Sequence, residues 1–139
     1  MNTKRILLGG LAAGLVMNVM DAVANGAVLG ARYRACGEQG LLLKDPRTPF
    51  YVIWIVTIFA IGIGLAYLYA AARPRLGGGP KTAIAVALVV GFAWGFPANF
   101  ATASWSPLGL FMPFVWAVAA GLEAMVGALV AGALYRERE

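Results

Sequence analysis

Long apolar stretches separated by short polar segments dominate the chain. No charged residue lies between Arg47 and Arg73 or between Lys81 and Glu123, and residues 6–30 form a further, mostly apolar stretch. A helix that crosses the hydrocarbon core of a membrane needs about 20 mostly apolar residues. The uncharged stretch between Arg47 and Arg73 fits one such helix, and the stretch between Lys81 and Glu123 is long enough for most of two. Together with residues 6–30, the pattern predicts four transmembrane helices.

The boundaries of these helices follow from the positions of turn-forming residues. Ser106 and Pro107 divide the last stretch, because Ser-Pro starts turns and the residue before proline avoids the helical region. Pro97 lies inside the third helix and predicts a kink there, unless that helix ends early. We therefore predict a single all-α domain over residues 1–139, a transmembrane four-helix bundle with both termini on one side. The predicted helices cover residues 6–30, 50–72, 82–104 and 108–135.

The basic residues predict how the bundle is oriented. Of the 11 Lys and Arg residues, seven would lie on the side of the termini, and the other four would lie on the opposite side. The positive-inside rule then places both termini in the cytoplasm, as expected for a multi-pass protein of the cell inner membrane. The seven are Lys4, Arg5, Arg73, Arg75, Lys81, Arg136 and Arg138.

Aromatic residues agree with this orientation. Tyr33, Tyr51 and Trp54 would lie at the outer headgroup level, where Trp and Tyr are enriched. We expect Trp116 to face lipid or to fill the core. The net charge of +5 indicates contact with anionic lipid headgroups rather than with nucleic acid, because the basic residues form no stripe interleaved with aromatic side chains.

The first apolar stretch also fits a second interpretation, a cleaved secretory signal peptide. A basic start at Lys4, an apolar run over residues 6–17 and an Ala-Val-Ala triplet ending at Ala24 are its three parts, so cleavage would follow Ala24. Against this, such triplets are common in an Ala-rich chain, and the apolar character resumes over residues 26–31. We favour a retained transmembrane helix.

The composition excludes most enzyme chemistry. Only 12% of the residues are charged, against about 25% in soluble domains, which supports the membrane assignment. The chain has no His and one Cys, which excludes zinc clusters, haem with a His ligand, and paired-cysteine redox sites. We therefore expect no metal, no cofactor and no enzymatic activity. An enzyme acting on a lipid or quinone is the least favoured alternative, because no nucleophile or phosphate-binding loop accompanies the carboxyls.

Polar side chains inside the predicted helices are the candidate proton or cation site. At 100° per residue, Asn18, Asp21 and Asn25 share an arc of about 60° on the first helix, and Glu123 lies among small residues on the last. Lipid cannot satisfy these groups, so all should face protein. No Lys, Arg or His lies in any predicted helix, so at least one carboxyl should keep its proton at neutral pH. We expect Asp21 and Glu123 to share a proton, with Asn18, Asn25 and Asn99 completing the hydrogen bonds.

Small residues at four-residue spacing predict close helix packing. The first helix carries such a row, and Gly91 and Gly95 form a shorter one on the third, where they indicate either a packing face or the broken segment of a transporter. The predicted helix-packing residues are Gly10, Gly14, Gly26, Gly30, Gly91 and Gly95.

The first third of the chain carries a family resemblance. The opening Leu-Gly-Gly-Leu-Ala-Ala-Gly over residues 8–14, followed by Asn18, Asn25-Gly26 and Arg32-Tyr33, resembles a loose group of small four-span bacterial membrane proteins. That resemblance implies a four-helix inner-membrane protein and implies no activity.

Two functions from different classes fit these observations. The favoured one is a non-enzymatic accessory or scaffold subunit that packs against partner helices through its glycine-rich faces. The alternative is a small proton-coupled transporter or channel that uses Asp21 and Glu123. In both, the expected partners are the lipid bilayer and either further copies of the chain or another membrane protein, with no nucleic acid.

Overall fold

The computed structural model describes residues 1–136 except for the side chain of Trp94, and within them the chain forms five helices. Four are long and apolar enough to cross a membrane, and a short helix, α2, follows the first of them. The predicted all-α architecture with four long apolar helices is therefore confirmed. The helices are α1 (Thr3–Val28), α2 (Gly30–Glu38), α3 (Thr48–Leu76), α4 (Pro80–Ser104) and α5 (Phe111–Leu134).

The helix ends use local signals written in the sequence. The Asn2 side chain accepts a hydrogen bond from the backbone N–H of Arg5 at 3.3 Å and so caps the start of α1. Gly77 and Gly79 have φ values of 82° and 117°, a region that favours glycine, and they form the tight turn between α3 and α4. Pro80 then begins α4, where a missing N–H costs nothing.

Two of the long helices contain π-helical turns. One closes α1 over Ala24–Val28, and the other occupies Leu88–Gly95 in α4, just before Pro97. A proline within an α-helix removes one hydrogen bond and clashes with the carbonyl four residues earlier, and a wider turn before it accommodates that ring. As a result α4 does not end early at Pro97 but continues to Ser104.

Both ends of the described chain meet the α3–α4 turn at one end of the bundle, which we call the terminal end. The Tyr135 hydroxyl accepts a hydrogen bond from the N–H of Asn2 at 3.2 Å, and the Tyr69 hydroxyl accepts one from Gly79 at 2.9 Å. The rings of Tyr69 and Tyr135 contact each other edge to face, with centroids 6.0 Å apart. The opposite end, with α2 and the connections after it and before α5, is the loop end.

The hydrophobic core occupies the terminal-end half of the bundle. There α1 packs between α3 and α5, and α4 contacts α3 through its first turns, Pro80–Ala87. Half of the buried residues described in this core are alanines, which lets the helices approach closely. These alanines are Ala13, Ala66, Ala70, Ala83, Ala87, Ala128 and Ala131.

Only part of the predicted glycine row makes helix contacts. A Cβ on Gly10 would lie 2.5 Å from the Cα of Ile63, and one on Gly14 would lie 2.7 Å from the Cα of Phe59, so the α1 and α3 backbones touch there. On α4, a Cβ on Gly91 would lie 3.1 Å from the Cα of Gly121 on α5.

The other three predicted packing glycines have more space. A Cβ on Gly95 would lie 3.6 Å from the Cβ of Ala120, which is ordinary contact. A Cβ on Gly26 would meet nothing within 4 Å, and one on Gly30 would meet only atoms of Arg34 and Asn25, at 3.9 Å. Gly26 and Gly30 therefore do not pack against another long helix, because the bundle opens at the loop end.

Candidate functional site

A cavity of about 1480 Å³ fills the loop-end half of the bundle. It forms because the later part of α4, Leu88–Ser104, packs against α5, while α3 contacts α4 mainly through Pro80–Ala87. The four long helices line it, and α2 and Leu43 of the following connection border it at the loop end. Pockets for drug-sized ligands commonly measure about 300–1,000 Å³, so this cavity has room for an organic molecule.

Asp21 lies on the cavity wall and is held by two donors. Its Oδ1 accepts a hydrogen bond from the Asn25 amide at 3.0 Å, and its Oδ2 accepts one from the Trp54 indole at 3.2 Å. Each carboxyl oxygen thus has a partner, one on its own helix and one on α3. These bonds fix the orientation of the carboxyl and connect α1 to α3.

The hydrogen bonds continue from Asn25 to α2 and α5. The Tyr33 hydroxyl donates to Asn25 Oδ1 at 2.7 Å and accepts from the Trp116 indole at 2.9 Å. Burial raises the pKa of Tyr33; the Trp116 donor opposes this effect and the charge of Asp21 reinforces it. The phenol therefore keeps the proton that it donates to Asn25. Together Trp54, Asp21, Asn25, Tyr33 and Trp116 form what we call the Asp21 network.

Glu123 is the second carboxyl of the cavity. It lies in the middle of α5, is only 7% exposed, and borders the cavity beside the small residues Ala119 and Ala120. Among the side chains and backbone groups that the structure describes, none forms a hydrogen bond with it. Its carboxyl is thus both buried and free to bind a proton or a ligand.

The two carboxyls share the cavity but not a hydrogen bond. Asp21 acts electrostatically on Glu123, while its hydrogen bonds go to Asn25 and Trp54. The hydrogen bonds of Asp21 come from Asn25 and Trp54 and not from Glu123, and a proton shared between the two carboxyls stays a prediction.

The predicted amides divide between two roles. Asn25 does complete the hydrogen bonds of Asp21. Asn18 also borders the cavity, but its Nδ2 donates to the carbonyl of Gly14 at 2.8 Å and more weakly to Ile55 of α3. Asn99 borders the cavity from α4 and donates to the carbonyl of Gly95 at 2.8 Å. Asn18 and Asn99 thus bond to the backbone rather than to the carboxyls.

The sequence does not predict that Tyr33, Trp54 and Trp116 belong to the Asp21 network. Tyr33 and Trp54 were expected in the headgroup belt, and Trp116 was expected against lipid or in the core. The signal in the sequence is that an indole N–H in an apolar setting needs an acceptor, but this does not show which acceptor each Trp takes.

We expect Tyr33→Phe to lower the free energy of unfolding by about 1 kcal/mol, because it removes both hydrogen bonds of the hydroxyl. The matched control is Tyr51→Phe, since Tyr51 borders the same cavity and its hydroxyl makes no hydrogen bond with any described group. Thermal unfolding in detergent measures both. Equal stability of the two variants would contradict a stabilising role for this network.

Four long apolar helices around an open cavity with two carboxyls define the class of this molecule, an α-helical protein suited to a membrane. Comparisons with protein-family models, with curated proteins and with solved structures found no match. Within the described chain no group of three or more His, Cys, Asp or Glu could hold a metal ion. The chemistry of the cavity is therefore the basis for a functional proposal.

Proposed function

We propose that this protein is a small, non-enzymatic transporter of the bacterial inner membrane that couples the movement of a solute to protons through Asp21 and Glu123. The observation that carries the proposal is that both carboxyls border one cavity large enough for a solute. Glu123 adds to it, because its buried carboxyl has no hydrogen-bond partner in the described chain. Ionisable side chains inside membrane spans commonly mark substrate and proton pathways.

The shape of the bundle also fits transport. Exposed residues of the loop end, such as Leu43 and Lys44, border the cavity, whereas packed core residues lie between it and the terminal end. This is the form expected of one state of an alternating-access carrier. The π-helical Leu88–Gly95 of α4 borders the cavity on one side, and segments of this kind often lie at functional sites.

The scaffold hypothesis finds less support in the contacts of the glycines. Gly10 and Gly14 contact α3, and Gly91 contacts α5, so these faces are covered within the same chain. They leave no glycine-rich groove for a partner helix at those positions. Because four helices seldom enclose a complete pathway, we propose that copies of this chain associate as a homo-oligomer.

The basic residues suggest the orientation of the carrier. Six of the ten described basic residues lie near the terminal end, and Arg138 lies outside the described residues. The positive-inside rule then places that end and both termini in the cytoplasm. In this orientation the cavity is accessible from the outer side of the inner membrane.

Proton movement in reconstituted vesicles tests the proposal. With a pH-sensitive dye trapped inside, organic cations, organic anions and neutral solutes are added in turn to vesicles with and without wild-type protein. We expect one class to change the internal pH at a rate that saturates with solute concentration and that requires the protein. The absence of any protein-dependent change across all three classes would overturn the proposal.

A further inference from the structure

From the charges and side chains of the cavity we infer that it binds an amphipathic organic cation, a molecule with a positive centre and an apolar shell. This inference deepens the proposed function and rests on it for the transport step only. Binding itself depends on the cavity that Asp21 and Glu123 share.

The charge of the deep part of the cavity favours a cation. Within the described membrane-spanning helices, the charged residues that border it are Asp21 and Glu123, both acidic. The positive side chains that border it, Arg34 and Lys44, lie at the loop end beside Glu38. An anion at the depth of the carboxyls would add a further negative charge in a medium where repulsion is strong, whereas a cation would neutralise one.

Glu123 is the group best placed to bind the positive centre. It is more than nine-tenths buried, it borders the cavity, and its carboxyl makes no hydrogen bond with any side chain or backbone group that the structure describes. A buried carboxyl without a partner is costly unless it binds a proton or a cation. Asp21 differs, because its oxygens already accept from Asn25 and Trp54.

The remaining lining favours an organic rather than an inorganic cation. Aromatic and aliphatic side chains make up most of the wall, and aromatic rings attract cations through their faces. Inorganic cations such as Ca²⁺ and Mg²⁺ need about six oxygen ligands close together, whereas the Asp21 oxygens are engaged and the volume is about 1480 Å³. The aromatic lining residues are Tyr33, Tyr51, Trp54, Phe59 and Trp116.

The separation of α3 from the later part of α4 offers a route for such a molecule. The two helices contact each other through Pro80–Ala87 near the terminal end, and beyond that Leu88–Ser104 packs against α5. Apolar residues of both helices, including Ile55 and Val90, border the cavity on the two sides of this separation. A cation with an apolar shell can therefore enter from the bilayer as well as from the loop end.

Binding of this kind should weaken as the pH falls, because protons and the cation compete for the same carboxyl. The other titratable groups that face the cavity also affect the pH dependence of binding. From the helices and the connection around it, the titratable and charged groups are Asp21, Tyr33, Arg34, Glu38, Lys44, Tyr51 and Glu123. The effect of Glu123 is isolated by comparing the pH dependence of wild-type protein with that of Glu123→Gln.

A pair of ions of nearly equal size and opposite charge provides the test. Equilibrium dialysis of the full chain in detergent, with tetraphenylphosphonium and separately with tetraphenylborate, measures binding beyond that of empty micelles. We expect saturable binding of the cation at least about tenfold tighter than that of the anion, as one such charge contact can supply. Equal binding of the two ions by wild-type protein would overturn the inference, and this outcome does not depend on any variant.

Two variants locate the site. Glu123→Gln should weaken binding of tetraphenylphosphonium about tenfold and remove most of its pH dependence, whereas Asp45→Asn, which changes an exposed carboxyl that does not border the cavity, should change neither. Unchanged binding in Glu123→Gln would contradict the inferred site.

Binding without proton movement in vesicles would overturn transport alone. Proton movement driven only by neutral or anionic solutes, with no cation binding, would overturn the cation alone.

Discussion

Glu123→Gln is expected to lower solute-driven proton movement by about a hundredfold or more, the usual effect of removing a group that transfers a proton. Glutamine has nearly the same shape and remains polar, but it cannot release or accept a proton at neutral pH. Because the Glu123 carboxyl makes no hydrogen bond in the described chain, the substitution breaks none. The variant should therefore fold normally and fail only in coupling.

Vesicles containing the pH-sensitive dye measure this effect against two comparisons. Asp45→Asn alters an exposed carboxyl outside the cavity and should transport at the wild-type rate. Glu123→Asp keeps a carboxyl on a shorter side chain and should retain part of the coupling. A Glu123→Gln variant that is folded and moves protons as fast as the wild type would exclude Glu123 from the proton pathway.

Asp21 should behave differently from Glu123 because of its hydrogen bonds. Its two oxygens accept from Asn25 and Trp54, whereas asparagine has only one acceptor oxygen and would place an amide against one of these donors. A change at Asp21 thus disturbs the network that joins α1 to α3 as well as the charge. We therefore expect a substitution at Glu123 to change function alone, and one at Asp21 to change function and stability together.

The long helices could be predicted from sequence because a long uncharged stretch is enough to predict a membrane-spanning helix. The stretch between Arg47 and Arg73 became α3, and the apolar stretches on either side became the other three long helices. The helix α2 was not predicted, since Gly30–Glu38 is too polar and too short to show an apolar period. The π-helical turns were also missed, because the hydrogen-bond register inside a helix depends on its packing.

The polar half of the site was predictable and its aromatic half was not. Polar side chains stand out in apolar helices, because each needs a hydrogen-bond partner there. Those of this site are Asp21, Asn25 and Glu123. Tyr33, Trp54 and Trp116 are equally consistent with a headgroup belt or with lipid contact, so only the folded chain shows their hydrogen bonds. The glycine row was ambiguous in the same way, because spacing does not show whether a face contacts its own chain or a partner.

Gly62→Ala is expected to lower the free energy of unfolding by about 3 kcal/mol, at the upper end of the range for overpacked sites. Gly62 is buried on α3, where a Cβ would lie 2.5 Å from the carbonyl oxygen of Gly10 and 2.6 Å from the nitrogen of Gly14. Both are backbone atoms of α1, which cannot rotate away as a side chain can. Accommodating even one methyl group therefore requires α1 and α3 to separate, and the hydrogen bond from Trp54 to Asp21 would then lengthen.

The same helix offers a control with the opposite expected sign. A Cβ on Gly64 would meet nothing within 4 Å, so Gly64→Ala should leave stability unchanged or raise it by up to about 1 kcal/mol through helix propensity. Unfolding in detergent, by heat or by increasing denaturant, compares the two variants with the wild type. If Gly62→Ala were as stable as Gly64→Ala, the close contact between the α1 and α3 backbones would be wrong. The positions of Asp21 and Trp54 across that contact would then lose their structural basis.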